Sequence, residues 1–171
     1  DIIVYATGFD AITGAYDLID IRGIGGEKLA DKWKQAPSTF LGMLVHGFPN
    51  LLMPTGPQSA SASTNFPRGI ENGVNWCTNL LQYMWARNLT RADATLEAQQ
   101  RWTAHVVKMY EIMLMRKAKG WFTGYNSNVP GHEEGTVRYF VYNGGTPKFL
   151  GIINGVAEKG YQEIAFGAEA E

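Results

Sequence analysis

The opening residues, Asp1-Ile2-Ile3-Val4-Tyr5-Ala6, make a near-continuous apolar run of strand length. A strand with one wet face alternates apolar and polar side chains. A run without alternation suits a strand covered on both faces, as in parallel sheets. Parallel neighbours arrive by crossover connections, and the later sequence holds too few strands of this type to surround the first. The expectation is a piece from the C-terminal part of a longer chain, with the upstream part of the same polypeptide as its first partner. The length, 171 residues, suits one domain or a substantial piece of a larger protein. Apolar residues at 45% and charged residues at 18% are enough for a buried core. Lys plus Arg number 15 against 16 for Asp plus Glu, so no nucleic-acid footprint is expected. The single cysteine, Cys77, excludes an internal disulfide framework and a zinc site built on cysteine pairs. It suits a reducing, cytoplasmic setting. No apolar run approaches the ~20 residues of a membrane helix, so no membrane partner is expected.

Thr7-Gly8-Phe9-Asp10 reads as a small-residue turn, and Gly23-Ile24-Gly25-Gly26 as a hairpin turn rather than a phosphate loop, because no buried strand precedes it. Residues 39–45 and 51–53 read as strands, separated by a turn at Phe48-Pro49-Asn50. The segment Gly56-Pro57-Gln58-Ser59-Ala60-Ser61-Ala62-Ser63-Thr64-Asn65 is nearly free of bulky side chains, which fits either a ligand-facing loop or a linker. A helix follows, with Asn65 as a possible cap and Pro67 in its first turn; Ile70, Val74, Cys77, Leu81 and Met84 recur at helical spacing. A second helix starts near Thr90 or Thr95 and carries Leu96, Gln99, Trp102, Val106, Met109 and Met113 on one face, fading around Lys119-Gly120. Thr90 with Asp93 is a weak capping-box pattern. The two long helices are expected to pack antiparallel. Val137–Tyr142 alternates as a strand, a short helix runs from about Pro147 to Ala157, Gly160 breaks it, and Tyr161–Phe166 is a last strand.

Common catalytic templates are missing. His46, His105 and His132 are scattered without a second ligand at metal spacing, so no metal site is expected. There is no Gly-x-Ser-x-Gly elbow, no Walker loop and no Gly-x-Gly-x-x-Gly after a strand. Cys77 lies inside an apolar helical stripe and reads as core.

An ordered set of motifs is more specific. It comprises Asp-Ile-Ile-Val-Tyr-Ala-Thr-Gly-Phe-Asp-Ala (1–11), Ile-Asp-Ile-Arg-Gly (19–23), Phe-Leu-Gly (40–42), Gly-Phe-Pro-Asn-Leu (47–51) and Gly-Pro (56–57). Then come Ile70-Glu71 and Trp76 on the helix, Gly120-Trp121-Phe122-Thr123-Gly124, and Asn128-Val129-Pro130-Gly131. Over residues 1–166 this resembles the C-terminal third of the Baeyer–Villiger monooxygenases, the phenylacetone and cyclohexanone monooxygenase group. The resemblance implies an α/β fold, the C-terminal part of a two-dinucleotide-binding-domain flavoprotein. Residues 1–171 would be a segment of the FAD-binding domain: an end strand and turn at 1–10, pocket loop and helices at 39–119, a mobile NADP loop at 120–135 and a C-terminal α/β appendage at 136–166.

The family uses FAD, NADPH and O2 to convert ketones into esters or lactones, so the implied substrate is a small-molecule ketone. Gly8 would let backbone approach the flavin. Asn65 and Phe66 match the loop end that meets the flavin pyrimidine edge, where a helix N-terminus favours negative charge. Ser61, Ala62 and Ser63 become candidate substrate contacts, and Trp121 matches the tryptophan that folds over bound NADP. No catalytic residue is assigned in this segment. The family's catalytic arginine is expected upstream, and neither Arg22 nor Arg68 takes its place. The isolated segment is expected to be inactive and to hold neither FAD nor NADP in order. Two departures bear on substrate identity and nicotinamide closure: the loop at 124–131 is longer than the commoner Gly-Ala-Asn-x-Pro-Gly form, and the pocket loop carries Gln-Ser-Ala-Ser-Ala-Ser where relatives often carry Gly or Pro. Two alternatives stay open at this point. One is an N- or S-oxygenating flavin monooxygenase, and the other is a non-catalytic binding or dimerisation domain of the same fold, as a homo-oligomer.

Overall fold

In the computed structural model, residues 1–6, 10, 12–60, 65–126, 132, 138 and 141–167 are described. Their helices are α1 (Gly14–Asp17), α2 (Leu29–Lys32), α3 (Phe66–Trp85), α4 (Leu96–Glu111) and α5 (Thr146–Glu158). Strands β1 (Arg91–Ala94) and β2 (Ile164–Gly167) pair antiparallel, with Arg91 opposite Gly167 and Ala94 opposite Ile164.

The long helices start where capping chemistry places them. Asn65 Oδ1 accepts from the Arg68 amide at 3.2 Å, and Pro67 sits in the first turn, where its missing N–H costs nothing. Thr95 Oγ1 accepts from the Ala98 amide at 3.2 Å. Thr90 and Asp93 form no capping box: Asp93 lies in β1, and the Thr90 amide donates to the Gly167 carbonyl at 2.9 Å. Helix α4 ends at Glu111, short of the expected Lys119-Gly120, and a 3₁₀ turn, Leu114–Lys117, follows. Helix α5 ends near Gly160, which takes a φ of 72°.

The main core lies between α3, α4, α5 and the segment 40–44. The principal helical neighbour of α3 is α5 rather than α4. Trp76 Nε1 donates to the Ile153 carbonyl at 2.8 Å, tying the two together. Residues Gly73, Trp76, Cys77, Leu80 and Met84 face the core. Of the expected stripe, Ile70, Val74 and Leu81 remain exposed instead. Cys77 is a core residue as expected, and burial pushes its thiol up to about 11. A second, smaller core gathers Leu29, Trp33, Val45, Phe48 and Met53.

Several expected strands do not form. Residues 1–6 have no secondary structure and Ile2 is 92% exposed, because the segment has no ladder partner among the described residues. Residues 39–45 are buried, yet they make a tight reversal in which Leu41 and Gly42 take φ of 59° and 72° and Phe40 bridges Leu44. A Cβ on Gly42 would lie 2.5 Å from the Ser59 nitrogen, so close backbone packing demands the glycine. Residues 51–53 are irregular. Of 137–142, the described residues 138, 141 and 142 show only a parallel bridge from Tyr142 to Ala60. The turn at 23–26 is a hairpin-like reversal closed by the antiparallel bridge Arg22–Lys28.

Candidate functional site

The N-terminus of α3 stands clear of the core. The helix has 20 residues, no acidic side chain in its first turn, and a capped entry at Asn65. Phe66 is 58% exposed. A helix start of this kind presents partial positive charge beside an open aromatic face. Arg68 is engaged with Glu71 at 3.3 Å, and Arg22 with Asp20 at 3.0 Å; both pairs are exposed.

The stem of the 56–65 loop is held by Gln58, a residue the sequence did not single out. It is 0% exposed and takes a φ of 68°. Its Oε1 accepts from the Thr39 amide (3.0 Å), the Thr39 hydroxyl (3.1 Å) and the Thr103 hydroxyl (3.2 Å). Its Nε2 donates to the Pro37 carbonyl at 3.0 Å, and its own carbonyl accepts from Trp102 Nε1 at 3.2 Å. Every polar atom of this buried amide has a partner, which offsets its desolvation and the left-handed backbone.

Trp121 opens a 3₁₀ turn, Trp121–Thr123, fixed from several sides. Tyr110 Oη donates to the Phe122 carbonyl at 2.7 Å, and Thr123 Oγ1 accepts from the Gly120 amide at 3.2 Å. The Arg138 amide donates to the Thr123 carbonyl at 3.0 Å. The Arg138 guanidinium is buried and reaches the Trp33 and Gln35 carbonyls. Burial pushes it down from its ordinary value, while Asp17 and Asp10 oppose that shift. Burial pushes the Asp17 carboxyl up, and Arg138 pulls it back. At the other end of this segment, the Tyr142 amide donates to the Ser59 carbonyl at 3.1 Å. Residues 138 and 142 thus touch the Trp121 turn and the stem of the 56–65 loop respectively.

Of the sequence-derived site residues, Asn65 and Phe66 sit together at the start of α3, and the Trp121 backbone sits in its own turn. Gly8, Ser61, Ala62, Ser63 and the Trp121 side chain lie outside what the structure describes. The α3 start, positive and open, fits the electron-rich edge of a flavin. Exposed Arg116 and Lys117 and nearby Lys119 precede the Trp121 turn, and their charge fits a phosphorylated nucleotide. Among the described residues no cluster of His, Cys, Asp and Glu can hold a metal ion. No helix among them is long and apolar enough to cross a membrane. Gln58 and Arg138 escaped the sequence reading because their partners lie far away in the chain, and no local spacing marks them.

Three curated relatives align with nearly the whole chain. Cyclopentanone 1,2-monooxygenase of Comamonas sp. is 37% identical over 94% of this chain and 28% of its own length. A Baeyer-Villiger monooxygenase of Pseudooceanicola batsensis is 33% identical over 100% of this chain and 30% of its own length. The chain is homologous to a segment of the Baeyer–Villiger monooxygenases. The phenazine N-monooxygenase PhzNO1 of Lysobacter antibioticus is similar to the same degree, 36% identical over 95% of this chain and 29% of its own length. The crystal structure of OTEMO in complex with FAD and NADP superposes with a TM-score of 0.84 at 31% identity, covering 95% of this chain and 29% of that one. The fold is therefore that of a segment of a flavin-binding monooxygenase. The chain spans less than a third of the length of these relatives. No family model matches it.

Proposed function

We propose that this chain is the C-terminal part of the FAD-binding domain of a Baeyer–Villiger monooxygenase. The whole protein would insert one oxygen atom of O2 next to a ketone carbonyl, giving an ester or lactone at the expense of NADPH. The single observation that carries this reading is the end-to-end similarity to monooxygenases of cyclopentanone and of other ketones. When bound, FAD would take two electrons from NADPH and activate O2, so that one oxygen atom enters the product and the other leaves as water. In this reading Asn65 holds the start of α3 so that its positive end faces the flavin pyrimidine edge, Phe66 walls that edge off from water, and Gly8 lets backbone come close. Ser61, Ala62 and Ser63 line the ketone side. Trp121 closes over NADP as part of a 120–135 loop. A cytoplasmic setting, which a chain with a single unpaired cysteine suits, and self-association of the whole protein belong to the same proposal.

The similarity to a phenazine N-monooxygenase favours a second reading, oxygenation of an aromatic ring nitrogen, over the same residues. The full-length protein should purify yellow, with a flavin spectrum. NADPH consumption with a panel of ketones and N-heteroaromatics, with the products identified, separates the two. Ester or lactone formation supports the first reading and N-oxide formation the second; a colourless protein with neither activity overturns both. Ser63→Phe should shift preference toward small ketones.

A further inference from the structure

We infer that Arg138 is a positioning residue for the turn that presents Trp121. The inference rests on the reading above, in which that turn meets NADP. Arg138 is only 7% exposed. A guanidinium is costly to bury unless its donors are used, and here they are spent on fixing chain position. Nε donates to the Gln35 carbonyl at 3.1 Å, the terminal NH2 group donates to the Trp33 carbonyl at 2.9 Å, and the other terminal nitrogen lies 3.1 Å from His132 Nε2. A planar fork reaches two carbonyls of one segment at once; a lysine ammonium meets such a pair only as a point charge.

The rest of the residue grips the turn. Its amide binds the Thr123 carbonyl, and its stem lies under Gly124, where a Cβ would come within 2.6 Å of Arg138 Cδ. Gly124 takes a φ of 78°, so the turn exits in a conformation that leaves the stem room. The head of Arg138 therefore holds the 33–35 segment while its stem and amide hold residues 123 and 124. One side chain sets how far the Trp121 turn stands from the body of the domain.

The test is a double-mutant cycle in the full-length holoenzyme: wild type, Arg138→Met, Trp121→Ala and the double variant, each titrated with NADP+ by calorimetry. Arg138→Met should weaken NADP+ by about tenfold, a common size for coupling between separate groups. In the Trp121→Ala background its effect should shrink to within about twofold, the scatter of independent sites. Equal weakening in both backgrounds, or none in either, overturns the inference. If Arg138→Met does not fold, Arg138→Lys enters the same cycle; it keeps stem and charge but not the fork, and a smaller coupled loss is expected. Amide hydrogen exchange over residues 120–126 is read without nucleotide. Exchange in Arg138→Met should rise there more than elsewhere, and unchanged exchange sinks the positioning role. A wild type that binds no NADP+ but passes the exchange test overturns the proposed function and leaves the role of Arg138 standing.

Discussion

Two glycines inside helices carry opposite weights. Gly73 on α3 meets the Pro54 carbonyl so closely that a Cβ would sit 1.7 Å from its oxygen. No side chain fits without moving backbone, and backbone does not give cheaply in a packed core. Gly73→Ala should cost about 2–3 kcal/mol, at the upper end of ordinary overpacking. Gly151 is exposed on α5 with nothing within 4 Å of a built Cβ. There the glycine only adds backbone freedom to the unfolded chain, so Gly151→Ala should stabilise by about 0.5–1 kcal/mol. Urea unfolding of both variants checks the pair, and equal effects would refute the contrast. Arg138 and Gln58 belong at this scale too. Both are polar, buried and fully committed to hydrogen bonds across long stretches of sequence.

At the scale of elements, the start of α4 is decided by Thr95. Its hydroxyl satisfies an amide that the helix leaves orphaned, whereas Thr90 sits before a strand and has only a 3.5 Å contact from its hydroxyl to the Gly167 carbonyl. Thr95→Ala should cost about 1 kcal/mol, and Thr90→Ala should stay within about 0.5 kcal/mol, as for surface positions away from special features. Denaturant midpoints at constant slope would show it; a larger loss at Thr90 would move the cap. The same contrast marks what the sequence could tell. Caps, Pro67 and Gly160 act within a few residues, so α3, α4 and α5 were legible; the last strand was legible only from Ile164, because Tyr161 takes a φ of 56° in the turn that precedes it rather than opening the strand. The runs 39–45 and 51–53 were not, because burial without a ladder looks the same as a buried strand in one dimension. Leu41, with a φ of 59°, lies beside Gly42, whose backbone packs closely on Ser59, and neither feature is written in the local sequence. On α3 the apolar arc is wider than the core this chain supplies, and periodicity could not say which part of it would be covered. Of the candidate site, Asn65 was legible as a cap. The clasp around the Trp121 turn was not, because it is built from Tyr110, Thr123 and Arg138 together.

At the scale of the whole molecule, the uncovered part of that arc is the informative feature. Phe66, Ile70, Val74, Leu81 and Trp85 form an exposed apolar stripe along α3, and Trp85 is 83% exposed. A groove of about 550 Å³ beside it is lined by Leu52, Leu81, Met84, Trp85 and Leu89. Ile2, Ile3, Val4 and Tyr5 add a second exposed apolar segment. Apolar surface this extensive is uncommon on a soluble monomer and marks a face made to be covered. A net charge of −1 gives little repulsion to keep copies apart. The chain also spans less than a third of its relatives' length, so a family-length polypeptide has ample material to lie on this face. The isolated 171 residues should therefore self-associate at tens of micromolar (roughly the range where exposed apolar surface drives association) and bind an apolar fluorescent dye. Trp85→Arg with Leu81→Lys should reduce both in the isolated chain, while lowering the folded yield of the family-length protein, where the same positions would then place charge in a buried contact. Light scattering and dye titration decide the first half, and soluble flavin-loaded yield the second. An isolated chain that stays monomeric and dye-free, or a family-length protein indifferent to the double substitution, would mean that nothing in the parent covers this helix.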